Sequence, residues 1–123
     1  MSEGYNSYLA YEEFVESLKK PGQAIIDSLT PEKADLWHMS TLLCGEAGEA
    51  SDALKKWIIY GKALDHTNVV EELGDIEFAL SGIRSALGIN RDLVIAANVE
   101  KLSKRYASGR YSDDQAKNRA DKV

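Results

Sequence analysis

Four carboxylates stand at two matched spacings in this chain: Glu46 with Glu49, and Glu72 with Asp75. Residues three apart on a helix share a face, so each pair presents two acids side by side. Each pair also borders an apolar stripe instead of opposing it. Glu46 lies about 60° from the centre of its stripe at 100° per residue, between Leu42 and Ala53. Glu72 edges the Leu73/Ile76/Leu80 face, and Asp75 lies over Ala79 and Gly82. Small neighbours (Ala47, Gly48, Ala50 and Ala53; Gly74, Ala79 and Gly82) suit a close approach of the two helices. Four carboxylates converging there repel by several kcal/mol at an effective dielectric near about 20. A divalent cation relieves that repulsion, and oxygen donors without His or Cys favour Mg²⁺ or Mn²⁺ over Zn²⁺. Solvated surface acids are the plain alternative, and two pairs with the same relation to apolar faces weigh against it. A di-iron carboxylate bundle needs Glu-x-x-His twice. His38 follows Asp35 and His66 follows Ala63 at that spacing, which excludes it.

A basic stripe reads in the same direction. Asn98, Lys101 and Arg105 fall at i, i+3 and i+7, beside an apolar stripe of Ile95, Val99 and Leu102. Arg supplies a two-pronged fork and Lys a mobile point charge, both suited to phosphate oxygens. Lys56 shares a face with Glu49 and is a further phosphate candidate or a solvated neighbour. His38 lies on the same side and can stack on a nucleobase. Trp37 and Trp57 read first as core or subunit-interface residues, with stacking as their alternative role. Tyr106 reads as core, Cys44 as packed or interfacial away from the acids, and Asp52 as an outer acid or a partner of Lys55 and Lys56.

Helices must position these groups. Strand-type alternation is scarce. A first helix is expected over about Ser7–Lys19, stopped by Pro21-Gly22, with a loop or short turn after it. Thr30 reads as an N-cap with Pro31 at the first helical position, opening a second helix that runs to about Tyr60 and stops at Gly61. Its core stripe is expected at Leu36, Met39, Leu43, Ala47, Ala50, Leu54 and Ile58. Asn68 with Glu71 resembles a capping box for a third helix, whose stripe is Val69, Leu73, Ile76, Leu80, Ile83 and Leu87 before a stop at Gly88. Asn90 caps a fourth helix that ends at Ser108-Gly109. Ser112 with Gln115 starts a short polar helix in a weakly held tail over 108–123. The expectation is a single all-α domain over 1–123, an antiparallel bundle of about four main helices.

The chain has 123 residues, 44% hydrophobic and 28% charged, which is ordinary for a globular protein. Its net charge of −5 argues against a nucleic-acid polymer as partner. Its apolar runs are far shorter than the roughly 18 residues that span a bilayer, and the N-terminal stretch lacks the pattern of a secretory signal. The lone Cys44 rules out an intramolecular disulfide and suits a reducing, cytoplasmic setting. A chain this short buries only about two-thirds of its unfolded surface, so a homo-oligomer is expected.

Glu46-Ala-Gly-Glu49 followed by Glu71-Glu72-Leu-Gly-Asp75 resembles the E-x-x-E…E-x-x-D signature of the MazG-like, all-α NTP pyrophosphohydrolases. The resemblance extends through Trp37-His38, Asp52, Lys55-Lys56, Tyr60-Gly61-Lys62 and Leu64-Asp65, and through Asn98-Val-Glu-Lys101-Leu-Ser-Lys-Arg105-Tyr106. It covers about Leu36 to Arg110. It implies Mg²⁺-dependent hydrolysis of a nucleoside triphosphate to a monophosphate and pyrophosphate. It further implies Glu46, Glu49, Glu72 and Asp75 as metal ligands and a homodimer or homotetramer with sites near subunit contacts. One of the four acids, or Glu71, would take the proton of the attacking water. Specialised relatives acting on dUTP, dCTP or phosphoribosyl-ATP are the enzymic alternatives. A helical nucleotide-binding protein without turnover is the non-enzymic one.

Overall fold

The computed structural model describes residues 3–122, with side chains from Ala10 onward. Met1, Ser2 and Val123, at the ends of the expected domain, lie outside the described residues. The described residues form six α-helices and one 3₁₀ turn, with no strand among them. The chain divides into two compact units, Met1–Lys33 and Ala34–Val123. The first holds α1 (Glu3–Leu18) and α2 (Gly22–Ser28). The expected loop after Pro21-Gly22 is therefore a two-turn helix. The extended backbone of Pro21 and of Leu29 bounds it on either side.

α3 (Pro31–Ile58) opens where Thr30 accepts a hydrogen bond from the Lys33 N–H at 3.2 Å. It stops where Gly61, at φ 67°, lets the Lys62 N–H reach back to the Lys56 carbonyl at 3.1 Å. α4 (His66–Leu87) is capped by Asp65, whose carboxylate accepts from the Asn68 N–H at 3.0 Å. The capping box expected at Asn68 is thus one turn early. Asp65 takes the orphan donor, and Asn68 is already helical. Gly88, at φ 65°, closes α4 with an Ile89 N–H to Arg84 carbonyl bond of 2.9 Å. Asn90 caps α5 (Arg91–Arg105) as expected, accepting from the Leu93 N–H at 3.2 Å. α5 ends earlier than Ser108-Gly109, at Tyr106, and Gly109 sits in the following turn with φ 77°. Ser112 caps α6 (Asp113–Asn118), and a 3₁₀ turn follows at Ala120–Lys122. None of these helices is long and apolar enough to cross a membrane.

α3 and α4 form an antiparallel hairpin, with Asp35 and Met39 beside Gly82, Ser85 and Ala86 at one end. Ala53 meets Asn68 and Glu72 at the other. Ala79 is fully buried between these ends. A Cβ on Gly82 would fall on the Met39 thioether, 2.7 Å from its Cγ, so this position sets the closest approach. Gly48 and Gly74, expected to do the same, have open space where a Cβ would stand. The side of α3 that carries Met39 and Glu46 therefore faces the side of α4 that carries Glu72, Asp75, Ala79 and Gly82, which follow one another at steps of three and four. Of the expected apolar stripes, Leu36, Met39, Leu43 and Ala50 of α3 and Val69, Ile76, Leu80 and Ile83 of α4 are half-buried, while Ile58 and Leu73, 64% and 52% exposed, stay open. α5 turns back on α4, where Leu80, Ile83 and Leu87 share a groove of about 300 Å³ with Ile89, Val94 and Ile95.

Candidate active site

The hairpin seam carries the acids. α3 supplies Glu46, and α4 supplies Glu72 and Asp75. One carboxylate oxygen from each lies within 4.8 Å of the others. Glu46 and Glu72 are half-buried and Asp75 is exposed, so the cluster opens to one side. Glu49 lies one turn beyond Glu46 on α3. Its carboxylate bears on both Glu46 and Glu72. Burial first, and then the neighbouring Glu49, push the Glu46 carboxyl up from 4.5 to about 7. The same two causes raise Glu72. Glu46 Oε2 and Glu72 Oε2 are buried without a hydrogen-bond partner among the described residues. A buried carboxylate oxygen left unpaired is costly, and a cation set between the two would satisfy both. An all-oxygen donor set at this spacing fits a hard divalent cation.

Beside the acids lies a cleft of about 390 Å³ lined by Gly45, Gly48, Glu49, Asp52, Ala53, Lys56, Asn68 and Glu72. Its polar lining and its position over Glu49 and Glu72 suit a charged ligand. Lys56 reaches it, held at 3.3 Å from Asp52, which also holds Lys55 at 3.3 Å. Lys56 and then Lys55 lower the Asp52 pKa, so this acid stays charged. Of the two roles open to Asp52, its contacts are those of a lysine partner at the rim of the cleft. Asn68 was read only as a cap. Its place in the cleft was legible from its spacing, four residues before Glu72 on the seam.

The remaining candidates are not among the cluster or the cleft lining. Glu71 is exposed on α4 and is not part of the cluster. His38 lies with Ala34, Trp37 and Thr41 along a shallow face of α3, about 16 Å of helix rise from Glu49. Trp37, Trp57 and Cys44, for which packed and interfacial places are both expected, are exposed. Burial in a core is excluded for these three within this chain. Asn98 and Lys101 are exposed on α5. Arg105 is half-buried and donates from Nε and Nη2 to the two carboxylate oxygens of Asp121, at 2.7 and 3.0 Å. Tyr106 faces Tyr111 with ring centroids 5.9 Å apart.

The model of the MazG nucleotide pyrophosphohydrolase domain matches residues 34–109. The chain belongs to the MazG family. The match starts with the second compact unit and spans the acid seam and α5. No curated protein and no solved structure matches the chain. MazG domains are all-α, divalent-metal-dependent nucleotide pyrophosphohydrolases, and the helical architecture and the acid cluster here are of that kind.

Proposed function

We propose that this MazG protein hydrolyses nucleoside triphosphates between the α- and β-phosphates, with Mg²⁺ or Mn²⁺ held by Glu46, Glu49, Glu72 and Asp75. The observation that carries the reading is the pair of buried, unpartnered oxygens on Glu46 and Glu72, within a cluster that includes Asp75. When bound, the cation offsets the negative charge of acids and substrate and polarises the phosphoryl oxygen. The protein's own part is positioning. Ala79 and Gly82 hold the two helices in register, so that the acids of α3 face those of α4. Lys56 at the cleft, with Asn98, Lys101 and Arg105 on α5, takes phosphate and sugar oxygens. Water adds to the α-phosphorus, the bond from that phosphorus to the bridging oxygen breaks, and pyrophosphate leaves. A carboxylate accepts the water's proton, and Glu71 and the four cluster acids are the groups available for it.

The working form is a homodimer or homotetramer. Ile58, Ile59, Val70 and Phe78 are each more than 60% exposed, more apolar surface than a lone chain of this size keeps in water. A reducing cytoplasm suits the exposed thiol of Cys44.

A turnover panel across the ribo- and deoxynucleoside triphosphates, with Mg²⁺ and with EDTA, tests the reading. Monophosphate and pyrophosphate in equal amounts are expected, and only with the metal. Release of orthophosphate, or binding without turnover on every triphosphate, would overturn it. The panel also separates a general enzyme from one confined to a single pyrimidine nucleotide or to phosphoribosyl-ATP.

A further inference from the structure

The C-terminal turn lies beyond the residues that match the MazG domain, yet it grips a residue of the α5 stripe. Asp121 is 1% exposed and Arg105 18%, and their bidentate pair closes sixteen residues of chain back onto α5. Arg105 holds the Asp121 carboxyl down at about 2, so the pair is charged throughout the working pH range. A guanidinium has five N–H donors in a fixed plane. Asp121 takes the Nε–H and one Nη2–H. Both Nη1–H groups and the second Nη2–H, which form the end of the fork, are left over by Asp121, and the Tyr106 side chain is the other neighbour that bears on the guanidinium. That end is a second two-pronged donor of the shape a phosphate accepts.

We propose that Asp121 is a positioning residue, which holds Arg105 by the side of its guanidinium so that the far end is set in advance for a phosphate of the substrate. The proposal rests on the reading of Arg105 as a phosphate contact. It places the C-terminal turn, outside the matched domain, in the service of substrate binding. A long side chain loses rotamer freedom when it binds, and an arginine already fixed by a buried acid loses less.

Steady-state kinetics of Asp121→Asn, Arg105→Ala and the double variant, on the best triphosphate of the panel, test it. Removal of a contact made equally in ground and transition states raises KM and leaves kcat, so Asp121→Asn should raise KM about 10-fold with kcat within about twofold. In the Arg105→Ala background the same change should add less than about twofold, because Asp121 acts through Arg105. A KM effect that persists undiminished there belongs to the tail and overturns the proposal. So does an unchanged KM in Asp121→Asn alongside a raised KM in Arg105→Ala, which leaves the phosphate reading standing. An unchanged KM in Arg105→Ala overturns both. A measurement on the wild-type protein covers the case in which a variant does not fold. In ¹⁵N-arginine-labelled protein, the Arg105 Nε–H signal should stay slow to exchange when the non-hydrolysable α,β-methylene analogue of that triphosphate is added. Its release to fast exchange would mean that phosphate displaces Asp121, which makes the turn a mask and not a support.

Discussion

Metal binding to the acid seam should release protons, and the structure sets how many. Glu46 is pushed up to about 7 by burial and by Glu49, yet a carboxylate must be ionised to hold a cation. At pH 6 a group of that pKa is about 90% protonated, at pH 7 about half and at pH 8 about a tenth, so each cation should displace about 0.9, 0.5 and 0.1 proton from it. The apparent affinity should therefore tighten about 10-fold between pH 6 and pH 8, with a further contribution from the raised Glu72. Calorimetry with Mg²⁺ or Mn²⁺ in two buffers of different ionisation heat reads the proton count directly. Glu46→Gln should remove most of the release at pH 6. Binding that is pH-independent over this range, or a full proton release that survives Glu46→Gln, would refute the placement of a cation on Glu46. The sign for the metal-free protein follows from the same shift. Between about 4.5 and 7 the folded chain keeps a proton that the unfolded chain has lost, so stability should fall as pH rises through that window.

Glu49→Gln and Asp75→Asn should each lower turnover at least about 100-fold with the fold intact, since loss of a metal ligand commonly costs that much. Thermal melts of the same variants without metal should be unchanged or higher, because a repelling charge is gone; near-wild-type turnover at saturating Mg²⁺ would dismiss the ligand assignment. Mg²⁺ at a hundredfold excess over its dissociation constant should stabilise the protein by about 2.7 kcal/mol, read as a rise in Tm that EDTA reverses. Lys101→Ala should lower kcat/KM about 10- to 150-fold, with a salt dependence, and full activity in that variant would leave α5 as scaffold. The Asp121–Arg105 tie contributes stability that is present above about pH 4 and lost as pH falls through about 2, so protease should cut the C-terminal turn faster only in strong acid.

The helices were legible because their ends are written in single residues. Thr30-Pro31, Gly61, Gly88, Asn90 and Ser112 each do what their side chain or its absence allows. Asp65 and Asn68 are both good caps three residues apart, and only the carboxylate in place shows which one holds the free N–H. The seven residues of α2 are too few for a helical period to show. The seam between α3 and α4 was legible in part, because Met39, Leu43, Ile76 and Leu80 of the expected stripes are half-buried and the acids, Ala79 and Gly82 lie on the same inward side. The convergence of Glu46, Glu72 and Asp75 was also readable from their paired spacing. The Arg105–Asp121 tie was not, since nothing local links residues sixteen apart.

The mixed seam of α3 and α4 ties the site to the architecture. A hairpin stabilised for its own sake would set only Leu and Ile along its seam. This one sets the Glu46, Glu72 and Asp75 cluster among half-buried Leu43, Ile76 and Leu80, and leaves Leu73 and Ile58 open. The seam carries two buried oxygens with no partner among the described residues and a carboxyl that keeps its proton near neutrality. Ala79 and the Gly82–Met39 contact are the tight points holding α3 to α4. Gly82 is the sharper probe of that arrangement. A methyl group there must displace the Met39 thioether or spread the helices at a point only two turns from Asp75. If the thioether swings aside, Gly82→Ala keeps the spacing of the acids and gains helix propensity, and metal affinity is unchanged. If the helices part, Glu46 draws away from Glu72 and Asp75, and the affinity for Mg²⁺ falls while the helix content measured by circular dichroism does not. Met39→Ala in the Gly82→Ala background removes the clash and should then restore the affinity, which separates a spread seam from a local packing defect.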